Sequence, residues 1–339
     1  MKSLKYKGVF IIAEVAQAHD GSLGIAHSYI DAAAQAGADA VKFQTHIASA
    51  ESTPHEKWRV KFSRQDASRY DYWKRMEFSE KEWKGLKEHA EEKGLVFFSS
   101  PFSSEAIELL KRVGVGMWKI ASGEINNLPF LEEIASTGLP VIISTGMSNW
   151  EEIDRIVDFF KSKDIDITLM QCTSMYPTPP EKIGLNIINE FKEKYDCRAG
   201  LSDHSGLPYT SIAAAALGAE VIEVHLTFSK DMFGPDVPAS LTVEEMSEMV
   251  KGVRLVEKII SNPVDKDEMA EELKDMKLLF NKSIVANCDI KQGTLITKEL
   301  LSYKKPGSGI SPAKVASVLG KKAKREISKD ELINFTDIE

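Results

Sequence analysis

Short apolar runs recur along the chain up to residue 227, and amphipathic stretches separate them. The runs are FIIAEV (10–15), AVKFQT (40–45), LVFFSS (95–100), MWKIAS (117–122), PVIISTG (140–146), ITLMQCTS (167–174), AGLSDH (199–204) and VIEVHLT (221–227). Such runs are typical of buried parallel strands. Between them, GIAHSYIDAAAQAGA and EEIDRIVDFFKSK have helical spacing, and SNWEEI resembles a capped helix start. Eight strand-and-helix units predict an α/β fold, the (β/α)8 or TIM barrel.

The pattern changes after the helical stretch 243–260. Residues 261–279 are highly charged, which predicts a linker with one helix. Beyond Asn281, the β-like pieces SIVANCDI and TLITKELLSYKK alternate with glycine turns. We therefore predict a barrel domain at 1–262, a linker at 263–282 and a small second domain at 283–339. A domain of that size has marginal stability, so we expect it to pack on another surface.

Composition narrows the class of protein. The chain has no apolar run long enough for a membrane span, and its N-terminus MKSLKYKGVF is unlike a signal peptide, so we expect a cytoplasmic protein. The net charge of −8 disfavours nucleic acid and membrane as partners. Residues 283–339 nevertheless carry ten Lys or Arg against seven Asp or Glu, which suits either an anionic ligand or a solvated surface. The irregularly spaced Cys172, Cys197 and Cys288 predict buried free thiols.

Polar residues gather where the predicted strands end, which is where barrels carry their chemistry. In chain order these are Glu14, Lys42, Gln44, Ser99, Ser100, Lys119, Ser122, Glu124, Ser144, Thr145, Ser174, Tyr176, Ser202, His204, Glu223 and His225. Residues two apart on a strand share a face, so Ser202 and His204 point one way and Asp203 points the other. The SDH sequence is therefore not a Ser-Asp-His triad.

Lys42 and Lys119 both require an anion if they point into the barrel, because an unpaired buried charge is costly. Glu14 and Glu124 could be simple ion-pair partners. Alternatively, two lysines among serine hydroxyls suit a phosphate or carboxylate ligand.

His204 and His225 end neighbouring strands and could meet at one metal ion, with Glu223 beside them. The alternative is that they are ordinary core or surface histidines. Two nitrogen ligands are too few for a structural zinc site, so an open octahedral ion such as manganese fits better. His19, in the AHDG turn, is expected to face solvent.

Several stretches, in order, resemble the motifs of the sialic acid synthases, which condense phosphoenolpyruvate with an N-acetylated mannose-type sugar. They are FIIAEVAQAHDGSL, GADAVKFQT, KIASGEINNLP, CTSMYPTP, GLSDHS and IEVHLTFSKDMFGPD. PGSGISP and the segment after Ser283 resemble the antifreeze-like domain, of β-clip type, that ends the family's chains. The resemblance covers nearly the entire length and implies a TIM barrel followed by that domain.

The resemblance also implies roles for individual residues. The phosphoenolpyruvate contacts would be Lys42, Ser100, Lys119, Ser122, Ser144, Ser174 and Ser202. The sugar contacts would be Gln44, Tyr176, Asp236 and Lys305. His204 and His225 match the metal ligands, usually of manganese, with magnesium or cobalt as alternatives, and Glu14 matches a carboxylate that handles protons or water. Glu14, Lys42 and Lys119 are thus the implied catalytic residues. The family also implies a homodimer in which one subunit's small domain covers the other's barrel.

Four positions depart from the family pattern. Ala18 replaces a usual asparagine, Ser100 a common threonine and Ser174 a common asparagine. Lys305 stands where many members carry an arginine that reaches the sugar, and lysine lacks the planar guanidinium fork. The sugar thus stays open between N-acetylmannosamine and the 6-deoxy diamino sugars that lead to legionaminic or pseudaminic acid.

The predicted reaction is a metal-dependent aldol-type condensation followed by loss of phosphate. One alternative is another phosphoenolpyruvate-dependent sugar acid synthase that uses a phosphorylated sugar, which would need a further cluster of Arg or Lys. The other is a non-catalytic barrel that binds a metabolite, for which a proton-handling Glu14 has no use.

Overall fold

Eight parallel strands form a nearly closed barrel in the first of two units of the computed structural model, which describes residues 8–339. The units are Met1–Ser261 and Asn262–Glu339. The strands are β1 (Phe10–Ala16), β2 (Ala40–Thr45), β3 (Val96–Pro101), β4 (Trp118–Ile120), β5 (Val141–Ser144), β6 (Ile167–Cys172), β7 (Arg198–Asp203) and β8 (Val221–Thr227). Their order in the sheet is β3-β2-β1-β8-β7-β6-β5-β4, and the short β9 (Leu241–Thr242) pairs with β8. All eight predicted strands and the barrel class are confirmed.

Helices follow the strands around the barrel. They are α1 (Leu23–Ala36), α2 (Ala48–Glu51), α3 (Arg69–Met76), α4 (Glu80–Glu92), α5 (Ser104–Val113), α6 (Leu128–Ser136), α7 (Trp150–Lys161), α8 (Asn186–Tyr195), α9 (Pro208–Ala216) and α10 (Val243–Ile260), with 3-10 turns at Pro180–Lys182 and Val237–Ala239. The SNWEEI start is confirmed, because Asn149 and Glu152 form a reciprocal capping box at α7. The largest buried side chains between strands and helices include Trp83, Trp118 and Phe160.

The interior of the barrel is apolar at one end and polar at the other. Phe10 and Ile12 on β1 belong to an apolar cluster that also draws on β2, β3, β5, β6 and β8. Side chains on a strand alternate between faces, so the next inward residue on β1 is Glu14. On β8 the same alternation brings Glu223 and His225 after Val221. The apolar cluster therefore closes the N-terminal ends of the strands, and the polar residues collect at the carboxyl ends.

Residues 46–79, between β2 and α4, form a long aromatic insertion that we call the β2–α4 segment. It contains α2 and α3 and has its own apolar cluster, in which Trp58 and Phe62 pack against the buried Tyr72, Trp73 and Met76. The alternation of strands and helices in the sequence did not predict this segment, because the segment interrupts the alternation without adding a strand.

The second unit contains two helices and a small β domain. The helices are α11 (Lys266–Glu272) and α12 (Lys274–Phe280), and the antiparallel strands are β10 (Ser283–Ala286) and β11 (Leu301–Lys304), with 3-10 turns at Lys298–Leu300, Pro312–Ser317 and Phe335–Asp337. Its core includes Ile284, Ile290, Ile327 and Ile333. The linker was predicted to hold one helix and holds two, because the backbone leaves helical geometry at Leu273 (φ −93°, ψ 15°).

Two smaller expectations are tested by the same structure. The three cysteines are free, but only Cys172 is buried, whereas Cys197 is half-buried and Cys288 is exposed. The prediction of buried thiols was therefore wrong for Cys288, which lies in the turn after β10. Among residues 8–339, no helix combines the length and the apolar character that a membrane span requires.

Candidate active site

The carboxyl ends of the strands surround a cavity of about 450 Å³. Of the predicted site residues, those that line it are Glu14, Lys42, Gln44, Ser100, Lys119, Ser122, Ser144, Ser174, Tyr176, Ser202, His204, His225 and Asp236. They come from all eight strands or the loops that follow them, as the barrel geometry requires. Lys305 belongs to the second unit, where its ammonium lies 4.9 Å from the centroid of the Phe280 ring.

Both predicted lysines are buried, and carboxylates pair with them. Lys42 Nζ lies 2.7 Å from Glu14 Oε2 and 3.7 Å from Glu223 Oε2. Lys119 Nζ donates a hydrogen bond of 3.0 Å to Glu223 Oε1. Of the two carboxylates considered as ion-pair partners, Glu14 pairs with Lys42, whereas the described contact of Glu124 is a hydrogen bond from the side-chain amide of Asn127. Glu223, predicted to lie with the histidines, instead bridges the two lysines from β8.

Charge and burial oppose each other in this group. Burial alone would lower the pKa of Lys42, but the carboxylates of Glu14 and Glu223 outweigh it and raise that pKa. For Lys119 burial prevails over Glu223, and its pKa is lowered. Burial would raise the pKa of Glu223, but the two ammonium groups hold it below the ordinary value. Lys119 is therefore the lysine with the weaker hold on its proton, and it gains most from a further anion.

Serine hydroxyls surround the lysines. Ser100 Oγ accepts from Lys42 Nζ at 3.3 Å, and Ser202 Oγ donates to Glu223 Oε1 at 3.1 Å. Ser144 Oγ is buried and has no hydrogen-bond partner among the described residues. A buried hydroxyl without a partner is costly, so a water or a ligand atom has to lie beside it.

Gly146 makes room for these hydroxyls to converge. Its N–H donates to Ser122 Oγ at 3.0 Å. A Cβ at this position would lie only 2.5 Å from Ser174 Oγ and 3.0 Å from Ser122 Oγ. A side chain here would displace these hydroxyls, so glycine lets Ser122 and Ser174 converge, and the Gly146 N–H holds the Ser122 oxygen in place.

Glu14 is held on both of its oxygens. Gln44 Nε2 donates to Glu14 Oε1 at 2.8 Å, on the side away from Lys42. Gln44 is itself fixed by a hydrogen bond from Gln17, whose amide also lies 2.8 Å from His46 Nε2. The carboxylate therefore has a defined orientation at the edge of the cavity.

The histidine pair lies as predicted, with 5.3 Å between the ring centroids of His204 and His225. The Thr173 carbonyl, 3.1 Å from His204 Nδ1, can only accept, so Nδ1 carries the proton and Nε2 has a free lone pair. Burial, followed by the neighbouring His225, lowers the pKa of His204 to about 3, so the ring is neutral at physiological pH. A neutral imidazole fixed through its other nitrogen is suited to bind a metal.

The carboxylate predicted beside the histidines, Glu223, does not complete a set of metal ligands with them. No group of three or more His, Cys, Asp or Glu residues within residues 8–339 is arranged to hold a metal ion. Asp236 Oδ2 is 3.9 Å from His225 Nδ1, and Glu223 is engaged by the lysines. The residues thus fit only an open site, in which water and substrate oxygens complete the coordination.

Arg59 of the β2–α4 segment was not anticipated. Its guanidinium lies 4.3 Å from the centroid of the Tyr176 ring and pairs with Asp236, and it donates to the Pro235 carbonyl at 3.3 Å. Tyr176 in turn stacks on His204, with 4.1 Å between centroids and 24° between planes. Arg59, Tyr176 and His204 therefore form one continuous stack, and Arg59 ties two predicted sugar contacts together.

His19 lies away from the cavity and does not face solvent, so that expectation was wrong. It is fully buried, with its ring centroid 4.8 Å from that of Phe78 and 6.2 Å from that of Phe43. Its Nδ1 accepts from the Gly21 N–H at 3.1 Å, while Nε2 has no partner among the described residues. The imidazole therefore packs among aromatic side chains, while its Nδ1 accepts a backbone donor of its own turn.

Comparison with known proteins gives two family matches and close relatives. The NeuB family model matches residues 29–265, and the SAF domain model matches residues 281–339. N,N'-diacetyllegionaminic acid synthase of Campylobacter jejuni is 37% identical over 333 residues, which are 96% of this chain and 99% of that protein. Human N-acetylneuraminate-9-phosphate synthase is 35% identical over 339 residues, 96% of this chain and 91% of that protein.

A solved structure extends the match to the fold. The crystal structure of N-acetylneuraminic acid (sialic acid) synthetase from Leptospira borgpetersenii, in complex with citrate, superposes with a TM-score of 0.71 at 32% identity. The superposition covers 82% of this chain and 95% of that one.

Proposed function

This chain belongs to the NeuB family of nonulosonic acid synthases and carries a C-terminal SAF, or antifreeze-like, domain, and from that premise we propose its reaction. It condenses phosphoenolpyruvate with an open-chain N-acetylmannosamine-type sugar to give a nonulosonic acid, and it releases phosphate. The observation that carries this proposal is the meeting of two buried lysines, a ring of serine hydroxyls and two histidines in one cavity.

Phosphoenolpyruvate binds through its two anionic groups. Lys42 and Lys119 supply charge, and the hydroxyls of Ser100, Ser122, Ser144, Ser174 and Ser202 supply short donors. Ser144 Oγ, which lacks a partner, and the donors around Gly146 support an anion at this position. Bound phosphoenolpyruvate shares the ammonium groups that Glu14 and Glu223 neutralise in its absence.

The sugar binds next to the histidines. Gln44, Tyr176 and Asp236 would contact it, which would set its aldehyde carbon against the enol carbon of phosphoenolpyruvate. His204 and His225 would hold a divalent metal, manganese in this proposal, which supplies Lewis-acid polarisation of the aldehyde when bound. The free Nε2 of the neutral His204 supports this assignment.

The condensation forms one carbon–carbon bond and one carbon–oxygen bond to water, and it breaks the carbon–oxygen bond to phosphate. The enol carbon attacks the aldehyde carbon to form the new carbon–carbon bond, and the aldehyde oxygen takes up one proton, which is balanced by the proton that Glu14 receives from water. Water adds to the carbon that carries the phosphate oxygen and gives a proton to Glu14, the carboxylate held by Lys42 and Gln44. The tetrahedral intermediate then collapses to the ketone: its hydroxyl proton passes to the departing phosphate, which leaves on the lysine side.

The second unit completes the site in this proposal. Lys305 reaches the sugar from the antifreeze-like domain of the other subunit of a homodimer, and that domain excludes water from the barrel. We further propose a cytoplasmic location, where phosphoenolpyruvate is available.

Phosphate release from phosphoenolpyruvate tests this function directly. The panel is N-acetylmannosamine, its 6-deoxy diacetamido relatives, arabinose 5-phosphate and no sugar, each with manganese and with a chelator. Sugar-dependent release that the chelator abolishes is the expected result. Release without sugar, or no release from folded and metal-loaded protein, contradicts the proposal.

A further inference from the structure

The outer part of the cavity is walled by aromatic side chains of the β2–α4 segment. Trp58 and Phe62 are half-buried and line the cavity, with 5.7 Å between their ring centroids. Phe62 packs edge-on against the buried Tyr72, with 5.1 Å between centroids. The wall is therefore anchored from behind, and its exposed surface is apolar ring area.

Charge at this end of the cavity is already balanced. Of its two arginines, Arg59 pairs with Asp236, and Arg69 lies 3.2 Å from Glu56. Glu56 also accepts from Trp73 Nε1 at 2.8 Å. Over the whole lining, the described residues include four basic and six acidic side chains. A second phosphate on the sugar would thus enter a cavity that is already net negative and whose outer cations are paired.

We propose that Trp58 and Phe62 form a specificity wall, an apolar surface that contacts the end of the sugar remote from its aldehyde. This inference rests on the function proposed above. The wall selects an amino sugar that carries a methyl and an acylamino group at that end over one that carries hydroxyls, and it rejects a phosphorylated one. The preferred substrates are the 6-deoxy diacetamido sugars.

The position of the wall follows from the position of the reacting groups. The lysines, with 2% and 3% of their surface exposed, hold phosphoenolpyruvate at the inner end of the cavity. The aldehyde lies next to it at His204 and His225, so the remaining carbons of the sugar extend outward. Tyr176 and Arg59, which stack beyond His204, mark this direction.

The chemistry of the wall sets the selectivity. A methyl or acetyl group on an aromatic face removes apolar surface from water, whereas a hydroxyl there loses its water partners and gains none. One methylene-sized difference in an apolar pocket changes kcat/KM by about 10- to 200-fold. We therefore expect kcat/KM for a 6-deoxy diacetamido sugar to exceed that for N-acetylmannosamine by at least about tenfold.

The test compares three sugars at saturating phosphoenolpyruvate in the full-length, manganese-loaded protein. They are a 6-deoxy diacetamido sugar, N-acetylmannosamine and N-acetylmannosamine 6-phosphate. Trp58→Ala should reduce the preference for the first sugar over the second about fivefold or more by removing ring area, and leave KM for phosphoenolpyruvate unchanged. Trp58→Phe, which keeps an aromatic face, should retain most of the preference, and Phe62→Leu should reduce it with little loss of folding.

The matched control is Leu217→Ala. Leu217 is exposed and caps the C-terminal end of α9, just before β8 begins, so it lies at the opposite end of the strands from the cavity. Its substitution should leave the preference as in the wild type. If N-acetylmannosamine or its phosphate is the better substrate, or if Trp58→Ala lowers kcat/KM for all sugars equally, this inference is wrong and the proposed function stands. If no sugar releases phosphate, the proposed function fails and the inference fails with it.

Discussion

Glu223 and Lys119 form a buried ion pair across the barrel, with 3.0 Å between the carboxylate Oε1 on β8 and the ammonium on β4. The second oxygen of Glu223 lies 3.7 Å from Lys42. A protein carboxylate thus interacts with both lysines in the place where we propose an anionic ligand binds. When no anion is bound, Glu223 offsets part of the free-energy cost of burying the two ammonium groups.

Glu223→Gln should destabilise the protein and make it more responsive to phosphoenolpyruvate. Removal of one partner from a buried ion pair costs about 3–5 kcal/mol, and a bound anion then supplies the missing charge. We expect a lower Tm and a larger rise in Tm on addition of phosphoenolpyruvate than in the wild type. Thermal denaturation with and without the ligand measures both. Glu124→Gln, which removes a cavity carboxylate that pairs with no lysine among residues 8–339, is the control. An equal or smaller ligand-induced rise in Glu223→Gln would count against the shared role.

Lys119→Met should weaken phosphoenolpyruvate binding while keeping the apolar stem of the side chain. Loss of a hydrogen bond to a charged group costs about 1.5–3 kcal/mol, so KM for phosphoenolpyruvate should rise at least about tenfold. KM for the sugar should change much less. Initial rates with each substrate varied in turn give this split, and the exposed Lys163→Met serves as control. An unchanged KM for phosphoenolpyruvate would remove Lys119 from the anion site.

The alternation of apolar and polar residues was enough to predict the barrel and most of its cavity. Six of the eight strands begin with a buried apolar residue, the exceptions being β3 and β7, and residues two apart on a strand share a face, so Lys42 with Gln44 and Glu223 with His225 follow from spacing alone. The serines of the cavity are predicted by their positions at or just after the carboxyl ends of the strands. These rules are local along the chain, which is why they succeeded.

What the sequence did not reveal depends on pairing across the barrel or on irregular segments. Glu14 and Glu124 were the carboxylates considered as possible ion-pair partners of the two lysines, but the partner of Lys119 is Glu223, a contact between strands four positions apart in the chain. Arg59 lies in an insertion with no periodicity, so nothing in its neighbourhood indicates that it reaches Tyr176. His19 is buried against Phe43 and Phe78, a contact with residues distant in the sequence that the AHDG turn itself does not indicate.

Arg59→Lys should raise KM for the sugar about tenfold, by loss of a charge-assisted hydrogen bond, and leave KM for phosphoenolpyruvate as it is. Lysine keeps the charge but has no planar group to stack on Tyr176 while it bonds Asp236 and the Pro235 carbonyl. Steady-state kinetics with both substrates measure this difference. Arg64→Lys changes an exposed arginine of the same segment and should have no effect. Equal losses for both substrates would indicate a general structural defect rather than a role at the sugar.

Lys305→Ala should lower kcat/KM for the sugar if the antifreeze-like domain reaches the site as proposed. Its neighbour provides a close control, because Lys304 pairs with Asp330 inside the second unit. Lys304→Ala removes the same charge from the same strand end and should leave turnover near the wild-type value. The comparison is made at a single sugar concentration well below KM, where the rate reports kcat/KM. Equal behaviour of the two variants would mean that Lys305 has no special contact with the sugar.

His19 should make the barrel less stable at mildly acidic pH. Burial, together with His46 and Arg75, lowers its pKa from 6.5 to about 3. Below pH 6.5 the unfolded chain therefore binds a proton at His19 that the folded chain does not bind. The contribution of neutral His19 to the free energy of unfolding is complete above pH 6.5 and is lost as pH falls toward 3. Between pH 7.5 and 5.5 this loss of stability amounts to about 1.4 kcal/mol.

Urea unfolding followed by tryptophan fluorescence reports the stability of the barrel, because all five tryptophans lie in the first unit. His19→Gln, whose amide oxygen can accept the Gly21 N–H, should reduce the pH dependence by that amount, while the exposed His55→Gln should not. The same pH dependence in His19→Gln and the wild type would show that His19 does not cause the acid sensitivity.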